Sequence, residues 1–175
     1  MSRWEPVDTA SIPNDGGELR LFKRNDEFAI RIAGGQGDLM NSRTHGSEDA
    51  LGTLGCEPWH DKQSARILIG GLGMGFTLAA ALVSLPADAQ VVVAELVPGV
   101  VRWNHDVLGA CAEHPLTDKR VRVKCADVGE LINRATARYD AILLDVDNGP
   151  EGLTHQKNDH LYSFQGLHAA YNALR

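Results

Sequence analysis

The residues best suited to chemistry are four acids, each placed just after an apolar run. Asp145 and Asp147 follow Ala141-Ile142-Leu143-Leu144 in the stretch Asp145-Val146-Asp147-Asn148-Gly149-Pro150. Along an extended chain, residues two apart lie on one side, so the two carboxylates would face together. Such a pair can hold an ammonium group or take a proton from a nucleophilic amine. It also suits a turn closed by Asx hydrogen bonds. Glu95, with Leu96 beside it, closes Val91-Val92-Val93-Ala94 and comes 20 residues after Gly75. A carboxylate there can accept from both hydroxyls of a ribose. Asp127 follows Val121–Cys125 and precedes Val128. It can accept from an adenine amino group while a neighbouring backbone N–H meets a ring nitrogen, or it can cap the helix that follows.

The elements that must position these acids are legible from periodicity. Ile67-Leu68-Ile69 reads as a short buried strand and Phe76 to Leu85 as an alanine-rich helix stopped at Pro86. Between them lies Gly70-Gly71-Leu72-Gly73-Met74-Gly75. Glycines there let the backbone turn tightly and approach a ligand with no Cβ in the way; Gly70, Gly71, Gly73 and Gly75 are the candidate contacts. Further strands are expected at Val91–Ala94, Val121–Cys125 and Ala141–Leu144. Pro98 is placed for a first helical turn, a short helix is expected near Val128 to Arg134, and a last one at about Phe164 to Leu174. Apolar strands alternating with helices imply a parallel sheet covered on both faces. Ligands of such sheets bind beyond the carboxyl ends of the strands, where all four acids and the glycines fall.

Before Gln63 the pattern is different. Glu18–Lys23 and Phe28–Ile32 flank the turn Arg24-Asn25-Asp26-Glu27, and Gly34-Gly35-Gln36-Gly37 turns again before Asp38-Leu39-Met40. Ser47-Glu48-Asp49-Ala50-Leu51 reads as a capped helix start. The expected division is therefore residues 1–62, a β-hairpin appendage with a linker helix, and residues 63–175, a Rossmann-like α/β nucleoside-binding domain.

Bulk properties narrow the classes. A chain of 175 residues with 43% hydrophobic content can bury one core without disulfides or metals. A net charge of −6 argues against nucleic acid and is compatible with a cationic substrate. Cys56, Cys111 and Cys125 have no ligand spacing, and Cys125 is expected to be a buried small hydrophobe in a reducing compartment. Met1–Glu5 lacks a signal-peptide core and no apolar run approaches the roughly 20 residues of a membrane span, so a cytoplasmic protein without membrane contact is expected. His155, Asp159 and His160 match no zinc pattern, and no metal is expected. Trp103 reads as helix–sheet packing, Arg43 and His45 as surface residues.

Taken together, the loops resemble those of the spermidine synthase (polyamine aminopropyltransferase) family, within the class I methyltransferase-like fold. The resemblance runs from about Glu18 to the C-terminus. It rests on the hairpins, Ile69-Gly70-Gly71, the Glu95 loop, Asp127, Tyr139-Asp140-Ala141-Ile142-Leu143-Leu144-Asp145, and Gly149-Pro150-Glu151-Gly152-Leu153 with Leu161-Tyr162-Ser163. It implies strands ordered 3-2-1-4, decarboxylated S-adenosylmethionine as nucleoside, a small-molecule amine as acceptor, and an aspartate at Asp145 assisting the attacking amine. A homodimer is compatible with it. Gly73 stands where the family usually has an acid for the cofactor's amino group, and the Tyr-His-Glu segment has only His45-Gly46-Ser47-Glu48 as counterpart. Alternatives are therefore a methyltransferase using intact S-adenosylmethionine and a non-catalytic nucleoside-binding homologue. Family members continue into further C-terminal strands. Here a fourth strand with an open edge is expected, either in a truncated product or under a partner.

Overall fold

The structure, a computed structural model, describes residues 3–14, 16–35, 37–146 and 159–175. Two sheets organise it. The first is antiparallel, β1 (Glu5–Ser11), β2 (Glu18–Arg24), β3 (Glu27–Ile32) and β4 (Met40–Asn41), in that order. Asn25 takes a positive φ of 55° in the tight turn joining β2 and β3, as the Asn-containing turn requires. The strand β1 was not legible in the sequence. Glu5–Ser11 carries Pro6 and polar residues, which an edge strand tolerates, and its register slips between Pro6 and Asp8.

The second sheet is parallel and contains β5 (Arg66–Gly70), β6 (Gln90–Glu95), β7 (Val121–Cys125) and β8 (Ala141–Leu144), in the order β7-β6-β5-β8. That is the expected 3-2-1-4. The switch point lies between β5 and its neighbours β6 and β8, so the crevice opens above Gly70. One face packs on α1 (Gly46–Cys56), α2 (Phe76–Ser84) and α3 (Pro98–His105) through Ile67, Ile69, Val91, Val93 and Leu143. The other packs on α4 (Val128–Asn133) and α5 (Phe164–Ala173) through Leu68, Ala94, Ile142 and Leu144. Trp103 is buried on the first face, but its indole N–H donates to Asp8 on β1 at 2.8 Å, so it fastens the appendage as well as packing.

Three local expectations are corrected. The N-cap of α1 is His45, without a side-chain cap bond, and Ser47, already inside the helix, donates to Glu48 instead of capping. Cys125 is exposed, at the end of the edge strand β7; the buried cysteine is Cys56. Arg43 is exposed as expected, but His45 stacks on Phe76 at a centroid distance of 3.9 Å. Among the described residues no strand pairs with the outer edge of β8. Leu174 bridges in parallel to Tyr139, just ahead of it. No helix among them is long and apolar enough to cross a membrane.

Candidate active site

The glycine loop is built around Glu95. Gly71, Gly73 and Gly75 all take positive φ, between 54° and 90°, and Gly75 is the N-cap of α2. The Glu95 carboxylate lies beneath this loop, with Oε2 accepting from the Leu72 N–H at 2.9 Å and Oε1 from the Val97 N–H at 2.8 Å. Burial pushes its carboxyl upward, while the N–H groups of Val97, Leu72, Gly73 and Leu96 oppose that. Glu95 therefore knits the turn after β5 to the end of β6. Leu96, next along, is 39% exposed at the crevice, an apolar surface available to a flat ligand.

Gly70, Gly71 and Gly75 are each crowded by a close neighbour. A Cβ on Gly70 would meet the Val128 side chain, and one on Gly75 the Asn104 amide and the Pro115 ring. At Gly71 it would run into the carbonyl of Asp145, so the loop lies directly on the end of β8. At Gly73 only the thioether end of Met40, from β4, lies within reach, its Sδ at 3.2 Å.

Beside Gly73 opens a narrow cleft of about 20 Å³, lined by Met40, Asn41, Glu48, Leu72, Gly73, Met74, Phe76 and Asp145. As drawn it admits about one water molecule. Asp145, at the carboxyl end of β8, is largely buried and accepts a 2.7 Å hydrogen bond from the Thr77 hydroxyl. Burial raises its carboxyl above the usual range, the Thr77 bond counteracts this, and the nearby Glu48 charge raises it further. Tyr162 is within electrostatic reach, its phenol raised by burial and by Asp145. A largely buried carboxyl with a raised pKa, beside a second acid, is suited to hold a cation or receive a proton.

Thr77 was not singled out from sequence. Thr77 left a trace, a lone hydroxyl on the buried side of an apolar helix. Glu48 was named only within the runs Ser47-Glu48-Asp49-Ala50-Leu51 and His45-Gly46-Ser47-Glu48. Helix α1 brings it to the site because Gly52, one turn later, presses against the α2 backbone at Thr77, whose hydroxyl donates to the Glu48 carbonyl. Asp127 is the N-cap of α4, accepting from Gly129 N–H at 2.6 Å and Glu130 N–H at 3.3 Å. Val128 opens that helix and lies under Gly70. Asp147 lies outside the described residues, as do Gly149, Pro150, Gly152 and His155.

The architecture has close counterparts among solved structures. A spermidine synthase in complex with the transition-state analogue AdoDATO matches 99% of this chain with a TM-score of 0.73 at 16% identity. The spermidine synthase of Thermotoga maritima matches 99% with a TM-score of 0.74 at 17% identity. The fold is that of the spermidine synthases. A probable spermidine synthase from Corynebacterium glutamicum ATCC 13032 matches the whole chain at a TM-score of 0.62 and 16% identity. The chain spans 55% of the length of the first two spermidine synthases and 61% of the third. No family model and no curated protein matches the sequence.

Proposed function

We propose that this chain is a spermidine synthase-like transferase, carrying an aminopropyl group from decarboxylated S-adenosylmethionine to a small amine. The observation that carries the reading is Asp145: a largely buried carboxyl with a raised pKa, held by Thr77, in a cleft it shares with Glu48 and Gly73. The donor's adenosine would lie along the glycine loop and Leu96. Glu95 would bind at the ribose and Asp127 with Val128 at the adenine, each while keeping its backbone bonds. The cleft is too small for a nucleoside as drawn, but what fills the space over Gly73 is the flexible end of Met40, which can swing aside. Among the described residues no cationic side chain lines the cleft, and its two acids favour a positively charged sulfonium and ammonium.

The chemistry asked of the protein is modest. Donor and acceptor must be held in line, because the sulfonium already makes the attached carbon electrophilic. Asp145 orients the acceptor amine and takes its proton, freeing the nitrogen lone pair. The new N–C bond forms as the C–S bond breaks, and that electron pair passes to sulfur. Asp147 would help hold the acceptor's charge. A cytoplasmic setting, where such metabolites are found, goes with this reading.

One observation favours a second reading, a methyltransferase. Gly73 faces Met40, so no carboxylate stands at that point of the loop to hold the amino group of a decarboxylated donor. Calorimetric titration with S-adenosylmethionine, its decarboxylated form and methylthioadenosine separates the two. Preference for the decarboxylated form, with turnover on a panel of amines, is expected. Preference for intact S-adenosylmethionine would transfer the assignment to methyl transfer. Binding without turnover on any amine would leave a nucleoside-binding homologue.

A further inference from the structure

At the opposite end of the parallel sheet lies a groove of about 480 Å³ that the proposed transfer reaction does not use. It is bounded by Arg66 and Gln90, the first residues of β5 and β6, and by the turn Arg134–Tyr139 that leads from α4 toward β8. Among the described residues three arginines and no carboxylate line it, in a chain of net charge −6.

Two of these three charges have no carboxylate partner among the described residues. Among the described residues, Arg66 makes no side-chain ion pair, and Arg138 only lies over the Tyr139 ring at 5.8 Å. The neighbouring buried acid, Asp140, is already neutralised by Lys62 at 2.6 Å and Arg175 at 2.8 Å, and toward Arg66 it accepts only from the backbone N–H. Arg134 is held at 3.2 Å by Glu130, an exposed pair of little strength. Arg122 pairs in register with Val92 and so adds a fourth guanidinium on the same sheet face. The turn is fixed, because the N–H groups of Ala137 and Arg138 donate to the carbonyls of Asn172 and Ala173 at the end of α5. Between the guanidinium groups, half-buried Val92 and the buried Ala135 and Tyr139 form an apolar wall, with the Thr136 hydroxyl and Gln90 amide at its rim.

We propose that this groove binds a phosphate-bearing small molecule with an apolar or aromatic body. Guanidinium forks match phosphate oxygens in pairs, which lysines would not do, and the volume falls in the range of small-ligand sites. The phosphate would lie between Arg66 and Arg138, and the body against Val92 and Tyr139. The site is distinct from the glycine-loop crevice and does not depend on the reaction assigned there.

The test uses the whole chain with inorganic phosphate and phenyl phosphate as probes, followed by calorimetry and by amide chemical shifts. Phenyl phosphate is expected to bind more tightly than phosphate, to shift the amides of Arg66, Val92 and Thr136, and to weaken strongly as salt rises. Arg66→Gln and Arg138→Gln should each weaken it roughly tenfold, the scale of one hydrogen bond between charged partners. Arg20→Gln, an equal change of charge on the hairpin sheet, should leave binding unchanged. Both groove residues are exposed, and an unaltered melting curve confirms that their variants fold. The proposal is overturned if neither probe binds, if Arg66→Gln and Arg138→Gln bind like wild type, or if Arg20→Gln loses as much. Equal affinity for the two probes would overturn the apolar body.

Discussion

Under the proposed transfer reaction, a catalytic demand and a stability demand oppose each other at Asp145. Its carboxyl is raised by burial and by Glu48, against the Thr77 hydrogen bond. A raised carboxyl pKa means that, between the ordinary value and the raised one, the native state holds the proton that the unfolded chain has released. Stability therefore falls as pH rises through that window. Asp145→Asn removes the charge while its amide oxygen can still accept from Thr77. The variant should melt at a higher temperature than wild type at pH 7, with the gap closing in acid where both carry no charge. Turnover should fall by about 10²–10⁴-fold, the usual worth of a general base. Thermal melts across pH, set beside rates with an amine acceptor, check both halves. A variant that melts lower at pH 7 and keeps its rate would make Asp145 a turn-forming residue.

At the scale of elements, the crevice exists because separate pieces are fastened at its rim. Glu95 is the fastening between the glycine loop and β6. Glu95→Ala leaves the Leu72 and Val97 N–H groups without their acceptor and should cost about 2 kcal/mol, the penalty for an unmet buried hydrogen bond. Denaturant melts should therefore fall together with nucleoside affinity. Loss of affinity at unchanged stability would show that Glu95 serves the ligand alone. The second fastening is the contact of α1 on α2 at Gly52, where a Cβ would press into the Thr77 carbonyl and the Ala80 methyl. Gly52→Ala should force the helices apart at a cost of about 1–3 kcal/mol. It moves Glu48 away from Asp145, so the pKa governing the acid side of the rate profile should drop toward the ordinary carboxylate value. A rate profile and melting curve matching wild type would contradict this account.

Across the whole molecule, Asp140 joins the linker after α1, the start of β5, the start of β8 and the C-terminal residue. Its side chain is fully buried, accepting from Lys62 and Arg175 and from the Arg66 N–H at 2.7 Å. Burial alone would raise its carboxyl, but the Arg175 and Lys62 bonds prevail and hold it well below the usual range. A depressed carboxyl contributes stability that is complete above the unfolded-chain value, about 4, and is lost as pH falls through the folded value. Asp140→Asn should cost about 3 kcal/mol at pH 7 by stranding two cations near a buried site. The difference should shrink below pH 4. Chemical denaturation at pH 7 and pH 3 measures it, and an equal deficit at both would assign the loss to packing.

How much of this was present in the sequence depends on whether the signal was local. The strands β5 to β8 and the glycine turn were legible, because apolar runs, Pro98 and the glycines punctuate the chain within a few residues, while their order came only with the family resemblance. So were Glu95 and Asp145 as acids at strand ends. The edge strand β1 was not, since Pro6 and the alternating polar residues of Glu5–Ser11 carry no burial pattern. Nor was the exposure of Cys125, because whether an alternating strand is covered depends on which helices reach it. Local sequence thus determined that acids and glycines gather at one edge of a parallel sheet. Only the tertiary structure decided that Glu95 faces backbone N–H groups, that Met40 covers Gly73, and that Glu48 and Thr77 join Asp145. Those placements follow from how α1 and the hairpin sheet pack on the parallel one, where partners lie tens of residues apart and no local period records them.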